Sequence, residues 1–298
     1  MRHVTKLQNS PPGEMLLQSA LLGEFPWLLH GFSTRRGGVS SFSTAPTSQA
    51  ARDLNLGKVS WDDRENVMEN RRRFQRALGA AKMRLVVLRQ IHSDLIHVID
   101  GDTMPSAGDG IITNRPGLLL AILAADCLPI LLADTKQHVV AAVHAGWRGT
   151  VRKIAQKAVG RMMLMFGSRP EDMRAAIGPG IRVCCYKVGQ DVGEEFEGQF
   201  SYASKLFVRR ADKTPLEAKY SRLFKTYKSF DEIPENPQLY LDLVQANVTQ
   251  LREVGLAPNH IYSDAPCTSC HPELFFSHRR DAGHTGRMMG VIGIKRTD

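Results

Sequence analysis

The sequence has no apolar run long enough to cross a bilayer as a helix. Its longest candidate, LLLAILAADCLPILLA at residues 118–133, contains Asp126 and Pro129 and falls short of the roughly 20 apolar residues that a spanning helix needs. The first residues, MRHVTKLQNSPPGEM, also lack the basic segment, apolar stretch and small-residue cleavage site of an export signal. We therefore expect a cytoplasmic protein without a membrane segment.

A disulfide framework, internal repeats and a linker are lacking as well. The five cysteines are an odd number, and their spacing predicts thiols or metal ligands. No low-complexity, repetitive or Pro/Gly/Ser-rich stretch divides the chain. The 298 residues, 43% of them hydrophobic, are enough for one large domain with a sizeable core.

Acidic residues are outnumbered by basic ones. Lysine and arginine number 39 against 30 aspartates and glutamates, which gives a formal net charge of +9. This excess favours anionic partners such as phosphates, nucleotides or nucleic acid. Composition alone does not choose among them.

Short runs of Val, Ile and Leu alternate with helical patterns from residue 85 onward, which predicts an α/β fold. Runs of this kind are typical of strands that are covered on both faces. They are LVVL (85–88), LIHVI (95–99), LLLAIL (118–123), HVVAAV (138–143) and RAAIG (174–178). The run at 118–133 is interpreted as two buried strand segments joined at Asp126–Pro129, because proline interrupts strand pairing.

Three helices are predicted from caps and apolar spacing. The first starts at Asp62, which has capping-box spacing to Glu65, and ends near residue 79. The second starts at Thr150 as its cap and ends before Gly167. The third covers residues 242–254. Residues 201–236 are basic and weakly periodic, which predicts a surface insertion with some helix.

Two histidines and one cysteine form a candidate metal site. His92 lies in RQIHSD, Cys127 in the apolar run, and His144 where a strand gives way to a glycine-containing loop. Two imidazoles and a thiolate suit zinc, and three protein ligands leave one position open, as in catalytic zinc sites. The long spacings do not define such a site by themselves, because a lone cysteine in an apolar run is most often a small buried hydrophobe. We interpret Asp126 as a partner that orients a metal-bound histidine.

Loops that combine arginine and glycine predict an anion-binding pocket. HAGWRGT places Arg148 before a helix, HGFSTRRGGVS contains Arg35, and FFSHRRDAGHTGR contains Arg280. Glycine lets backbone amides approach a ligand, and arginine offers a forked donor to phosphate. Each loop alone could be a turn with solvated arginines. Together they indicate a pocket for a polyanionic or nucleotide-sized ligand.

CTSCH at residues 267–271 matches the pattern of covalent haem attachment. Such attachment belongs to exported cytochromes, so haem is not expected. A structural zinc would need a second cysteine pair at zinc-ribbon spacing, which the sequence does not contain. We interpret these cysteines as a reduced pair, and Cys184 and Cys185 as structural thiols.

The motifs and their order resemble the YfiH-type family, whose members are described as laccase-domain or polyphenol oxidase proteins and as purine nucleoside phosphorylases. The resemblance covers about residues 30–294. It rests on HGFSTRRGGVS, LNLG, QIHS, GDGIIT, ADCLPI, VHAGWRGT, IGPGI, CCYKVG, LDLVQAN and FFSHRRDAGHTGR.

The resemblance implies a four-layer α/β/β/α sandwich with mixed sheets over residues 30–298, preceded by an N-terminal extension at residues 1–29. It implies one zinc held by His92, Cys127 and His144. It also implies phosphorolysis of adenosine, inosine, guanosine and methylthioadenosine, with inorganic phosphate as co-substrate, and some adenosine deamination. We expect a monomer or small homo-oligomer that binds a nucleoside and phosphate, and neither nucleic acid nor a membrane.

Further roles are hypotheses on this basis. His92, Cys127, His144, Asp109 and Arg148 are the candidate catalytic residues. Substrate would contact Arg35, Arg148 and Arg280, and Asp109 of GDGIIT is assigned a ribose contact or a general acid/base role.

Two other enzyme classes remain open. The first is a cysteine hydrolase or deamidase with Cys127 as nucleophile and His144 as base. The second is a copper-dependent polyphenol oxidase. Copper is not expected, because ten histidines with few at paired spacing do not supply a multicopper cluster.

Overall fold

The computed structural model describes residues 7–9, 15–42, 52–101, 105–210 and 237–296. Within them the helices are α1 (Ala20–Gly23), α2 (Arg64–Ala77), α3 (Trp147–Val151), α4 (Ile154–Phe166), α5 (Gln190–Gln199) and α6 (Leu243–Glu253). The strands are β1 (Leu7–Asn9), β2 (Leu16–Ser19), β3 (Leu28–Ser33), β4 (Arg36–Ser40), β5 (Arg84–Val87), β6 (Ile96–Val98), β7 (Gly110–Thr113), β8 (Leu118–Ala124), β9 (Leu128–Asp134), β10 (Val139–Ala145), β11 (Met173–Ile177), β12 (Lys187–Val188), β13 (Phe207–Arg210), β14 (Gln238–Leu241), β15 (Ile261–Tyr262) and β16 (Met288–Ile294).

The chain divides into two compact units, and the first spans Met1–Ile181 and Leu243–Asp298. It contains two six-stranded sheets, one in the order β1-β2-β3-β16-β8-β5 and the other in the order β15-β11-β9-β10-β7-β6. Both sheets are mixed, since β5 runs parallel to β8 and β6 runs parallel to β7 among antiparallel neighbours. The chain passes from the first sheet to the second between β8 and β9.

Strand β8 shows why the sheets stack. Side chains alternate between the two faces of a strand, and both faces of β8 are apolar. Leu120 and Ile122 are buried in one core cluster with Leu131 of the second sheet, whereas Leu119 lies in another cluster with Phe74 of α2. The run LLLAIL is apolar at every position because β8 is covered on both sides.

Helices cover the outer faces of the sheets. Phe74 and Leu78 of α2 pack against the first sheet, and α4 packs against β10 of the second sheet with Ile154 and Ala158 fully buried. Each of the two sheets therefore has a helix packed against it, and the four-layer order stays a prediction. The predicted α/β class with mixed sheets is confirmed.

Two predicted helices differ from those observed. Lys153 has a left-handed backbone, φ 61°, which divides the helix expected from Thr150 into α3 and α4. Asp62 is not the N-cap of α2, because that position is held by Asp63 without a side-chain bond. The Asp62 carboxylate instead accepts hydrogen bonds from Ser40 and Asn55. The capping-box prediction is wrong because this carboxylate is bound to the end of β4 and to the segment around Asn55.

Described elements lie on both sides of the predicted boundary at residue 29. Residues 16–28, assigned to an N-terminal extension, supply β2 and α1, and Leu17 and Leu22 are buried in the core. The second compact unit, Arg182–Asp242, contains α5 and the sheet β12-β14-β13. Residues 211–236 of the predicted insertion lie outside the described residues. The boundaries at residues 29 and 201–236 therefore stay predictions.

No helix within the described part of the chain combines the length and apolar character that a bilayer crossing requires.

A buried histidine in β3 predicts a specific acid sensitivity. His30 is 2% exposed, and burial lowers its pKa to about 4 although a hydrogen bond with Ser19 opposes the shift. An unfolded histidine titrates near ~6.5. The unfolded state therefore binds more protons between pH 6.5 and 4, so stability is fully present above pH 6.5 and falls as the pH drops.

We expect His30→Gln to flatten the pH dependence of the free energy of unfolding by up to about 3 kcal/mol across this interval. Urea unfolding at pH 7, 6, 5 and 4.5 measures it. His138→Asn is the control, because His138 is an exposed histidine. Parallel curves for the wild type and His30→Gln would contradict the prediction.

Candidate metal centre

The structure brings the two predicted histidines and the predicted cysteine together. His92 lies in the loop after β5, Cys127 directly precedes β9, and His144 is near the end of β10. One ligand atom from each residue lies within 4.8 Å of the other two. The rings of His92 and His144 meet edge to face, with centroids 4.9 Å apart. This arrangement fits a single metal ion bound by three side chains.

Strand register places Cys127 beside His144. In the antiparallel pair of β9 and β10, Leu128 lies opposite Ala145 and Pro129 lies opposite His144. Cys127, one residue before Leu128, is thus at the same edge of the sheet as His144. Gly146 keeps this edge open, because a Cβ there would lie 3.0 Å from the Cys127 sulfur and 3.4 Å from Cδ2 of His92.

Asp109 connects the two histidines. It precedes β7, it is fully buried, and its Oδ1 lies 2.8 Å from Nδ1 of His144. The bond fixes the ring of His144 and leaves Nε2 for a metal. The backbone supports the same contact, because the amide of His144 donates to the carbonyl of Asp109 at 2.7 Å.

The same carboxylate organises the loop that carries His92. It accepts hydrogen bonds from the amides of Ile91, His92 and Ser93 at 3.2, 3.1 and 2.7 Å. The hydroxyl of Ser93 donates a further bond at 2.7 Å. His92 has a φ of 55°, a backbone region that is uncommon for residues other than glycine. Asp109 therefore stabilises the strained turn that aims His92 at Cys127.

Ser93 is a residue that sequence reasoning missed. It directly follows His92 in QIHS, but no spacing or composition distinguishes it from a serine in an ordinary turn. Its contribution is visible only once Asp109 is known to lie against this loop.

Electrostatics favour the metal-binding form of the thiol. Burial alone raises the pKa of Cys127, but the charges and hydrogen bonds of His144 and His92 outweigh it and lower the pKa to about 6. Burial lowers the pKa of His144, whereas the Cys127 thiolate and Asp109 together raise it to about 9. Burial also raises the pKa of Asp109, but bonds from His144 and Ser93 lower it well below its usual range. Asp109 is thus ionised and Cys127 is largely thiolate near neutral pH.

Asp126 has a role different from the predicted one. Its carboxylate accepts hydrogen bonds from the Thr268 hydroxyl at 2.6 Å and from the Arg279 amide at 2.7 Å, and Asp109 is the residue that orients His144. Asp126 is nearly buried and has a φ of 92°. It therefore ties the crossover from β8 to β9 to the loop that precedes β16.

The predicted anion-binding arginines differ in the partners that their guanidinium groups bind. Arg35 is paired with Asp53 through Nε and Nη2 at 2.7 and 3.1 Å. Arg280 is paired with Asp281 in the same way at 2.8 and 3.1 Å. Arg148 is exposed and lies over the ring of Trp147 at 4.4 Å. Of these three arginines, Arg148 presents its guanidinium without a carboxylate partner among the residues that the structure describes.

Helix α6 supports the loop that follows His144. The Asn247 side chain donates to the Thr150 hydroxyl at 3.0 Å, and the Gln250 side chain donates to the Thr150 carbonyl at 2.9 Å. All three residues are fully buried. Helix α6 thereby holds α3, the helix that carries Arg148.

The remaining cysteines are not placed in the metal centre. Cys267 of CTSCH is buried, Cys270 is exposed, and Cys184 and Cys185 are half-buried. Among the described residues no disulfide is formed.

The stacked mixed sheets and the His–Cys–His cluster define the class of the protein as a layered α/β protein with a candidate metal centre. A family described as "Multi-copper polyphenol oxidoreductase laccase" matches residues 29–295, and the chain belongs to this family. The resemblance to its YfiH-type members is confirmed by relatives and by solved structures.

Two curated relatives match almost end to end. A protein of Deinococcus radiodurans named purine nucleoside phosphorylase is 36% identical over 288 residues, 96% of each chain. Purine nucleoside phosphorylase YlmD of Geobacillus stearothermophilus is 35% identical over 284 residues, 90% of this chain and 91% of the relative.

Solved structures agree with the fold. The crystal structure of the Bacillus licheniformis hypothetical protein YfiH matches with a TM-score of 0.78 and 32% identity, covering 97% of this chain and 99% of that one. YlmD of Geobacillus stearothermophilus matches with a TM-score of 0.77 and 33% identity over the same shares.

Proposed function

We propose that the chain is a zinc-dependent purine nucleoside phosphorylase. Its substrates would be adenosine, inosine, guanosine and methylthioadenosine, with inorganic phosphate as co-substrate, and it would also deaminate adenosine. The cluster of His92, Cys127 and His144 carries the proposal, in a chain whose relatives are named purine nucleoside phosphorylases. A cytoplasmic location, a monomeric or small homo-oligomeric state, and the absence of nucleic-acid or membrane partners belong to the same proposal.

The donor chemistry favours zinc over copper. Thiolate and imidazole are ligands that zinc accepts, and three protein ligands leave one position for substrate. Multicopper oxidation needs additional histidine-rich clusters. Within the described residues, the His92–Cys127–His144 trio is the only such cluster that contains histidine. When bound, zinc supplies Lewis-acid chemistry at the open position.

The chain's own residues have separate tasks in phosphorolysis. A phosphate oxygen forms a bond to C1′ while the glycosidic C–N bond breaks, and the base leaves with the electron pair and takes up a proton. Of the three arginines predicted to contact substrate, Arg148 is the strongest candidate to bind phosphate, because Arg35 and Arg280 are paired with aspartates. A ribose contact through Asp109 requires an exposed oxygen, and this residue is fully buried. Asp109 is therefore proposed to position His144.

The direct test uses purified protein reconstituted with one equivalent of zinc. Incubation with each of the four nucleosides is expected to release free base and ribose 1-phosphate only when phosphate is present, as identified by mass. Adenosine is expected to give inosine as well, without phosphate, because water replaces the amino group and ammonia leaves. Absence of phosphate-dependent base release from all four nucleosides would refute the proposal.

A cysteine hydrolase is the second candidate, and one observation favours it. Cys127, His144 and Asp109 follow one another through hydrogen bonds, as a thiol nucleophile, its base and an orienting carboxylate do in cysteine hydrolases. Iodoacetamide separates the candidates. A zinc-bound Cys127 should be protected until a chelator is added, whereas a catalytic nucleophile should be alkylated at once with loss of activity.

A further inference from the structure

The loop before β16 brings a fourth arginine to the metal centre. In the antiparallel pair of β16 and β8, Met288 lies opposite Ala124. Arg287, the residue before Met288, is therefore beside the corner formed by Ala125, Asp126 and Cys127. Arg287 is the last residue of the FFSHRRDAGHTGR segment that also contains Arg280, and of the two it is Arg287 that adjoins β16.

The LNLG segment fixes the backbone and stem of Arg287. The Arg287 amide donates to Oδ1 of Asn55 at 2.9 Å, and its carbonyl accepts from the Leu56 amide at 2.9 Å. Gly57 makes room for the stem, because a Cβ there would lie 2.6 Å from both Cβ and Cγ of Arg287. The side chain therefore leaves the backbone in a defined direction.

The guanidinium of Arg287 is held from one side. Nη1 donates to the carbonyls of Thr285 and Gly286 at 3.2 and 2.9 Å. No acceptor within the described part of the chain is bound by Nε or Nη2, the pair that Arg35 and Arg280 use to bind aspartate. The fork that matches an oxyanion is therefore open on Arg287.

The charges of Cys127 and Asp126 act on the guanidinium of Arg287. Arg287 is half-buried, and burial lowers its pKa while the Cys127 and Asp126 charges oppose that shift. The Asp126 carboxylate is already bound to Thr268 and Arg279. An oxyanion between the fork and a metal at Cys127 would meet positive charge from both directions.

We propose that Arg287 binds the phosphate co-substrate through its Nε–Nη2 fork, next to the metal centre. This assignment rests on the proposed function and adds a residue to the predicted contacts. Asn55 and Gly57 then act as positioning residues, because they aim Arg287 without contacting phosphate. The LNLG segment would thereby serve the same site as the metal ligands, although it lies far from them in sequence.

The test compares Arg287→Gln and Arg287→Lys with the zinc-loaded wild type in phosphorolysis of inosine at varied phosphate. Arg287→Gln is expected to raise KM for phosphate about 10- to 100-fold, since a hydrogen bond to a charged group is lost. KM for inosine and zinc content should stay within about 2-fold. Arg287→Lys should fall between, because lysine keeps the charge but not the fork.

Two further variants are included, one that displaces the Arg287 side chain and one that serves as a control. Gly57→Ala retains the arginine but displaces its stem, and is expected to raise KM for phosphate as well. Arg174→Gln is the matched control, since Arg174 is also half-buried and its Nη1 donates to the backbone carbonyls of Glu171 and Met173, at the end of β11 that lies away from Cys127. Arg174→Gln should leave KM for phosphate within about 2-fold.

Phosphate binding measured by calorimetry without nucleoside separates this inference from the proposed function. If the wild type binds phosphate and Arg287→Gln does not, the assignment of Arg287 stands even where no base is released. If Arg287→Gln keeps the phosphate affinity and the KM of the wild type, the assignment is overturned while phosphorolysis by the wild type still supports the proposed function.

Discussion

Cys127→Ser is expected to lose stoichiometric zinc and to reduce phosphate-dependent base release by at least ~10³-fold, because a Lewis acid contributes several kcal/mol to such a reaction. Serine offers a hydroxyl that stays protonated, whereas the pKa of Cys127 is lowered to about 6 and the thiolate is available to a metal. Metal content after gel filtration and single-turnover rates measure the two effects. A variant that kept stoichiometric zinc but lost activity would favour the cysteine hydrolase instead.

A pair of histidine variants controls for damage to the fold. His92 and His138 both have a left-handed backbone, with φ values of 55° and 51°, a conformation that asparagine tolerates well. His92→Asn removes a proposed ligand and should lose zinc. His138→Asn removes an exposed imidazole away from the cluster and should not. Equal zinc loss in both variants would contradict the assignment of His92.

Asp109→Asn is expected to weaken zinc binding about 10- to 100-fold, the usual cost of losing the partner of a metal-bound histidine. The amide would turn an NH₂ group towards donors that now meet a carboxylate, either Nδ1 of His144 or the amide and hydroxyl of Ser93. Both the imidazole of His144 and the turn at His92 would lose their orientation. Competition with a chromophoric chelator measures the affinity.

Asp134→Asn is the matched control for this variant. Asp134 is also fully buried and accepts two backbone amides, those of Lys136 and Gln137 at 2.8 and 3.0 Å. It is the last residue of β9, whereas Cys127 directly precedes the first residue of that strand, so the length of β9 separates the two. Zinc affinity should therefore be unchanged in Asp134→Asn. If both variants bound zinc like the wild type, Asp109 would have no positioning role.

Local sequence patterns predicted much of the fold. Apolar runs located β5, β8, β9, β10 and β11. Strands β8, β9 and β10 are buried along almost their whole length and therefore need apolar residues nearly throughout. The stop of α4 at Gly167 followed from its left-handed backbone. The break at Lys153 could not be predicted, since lysine rarely adopts that conformation and the break depends on tertiary contacts.

In the candidate site, the metal ligands were predicted from the sequence, but the partners of the carboxylates were not. Ligand chemistry selected His92, Cys127 and His144, and the strand register explains why they meet. The partners of carboxylates could not be assigned from sequence, because Asp109 and Asp126 both lie beside turns and both have buried neighbours. Only tertiary structure shows that Asp109 binds His144 and that Asp126 binds the loop of Thr268.

The central position of β16 has a consequence for synthesis of the chain. Residues 288–294 lie between β3 and β8 in the first sheet and pair with both. Strands β3 and β8 therefore cannot be joined while the ribosome is still translating the residues before position 288. The nascent chain must keep two apolar strand edges apart for most of its synthesis, which exposes it to aggregation and makes chaperone binding advantageous.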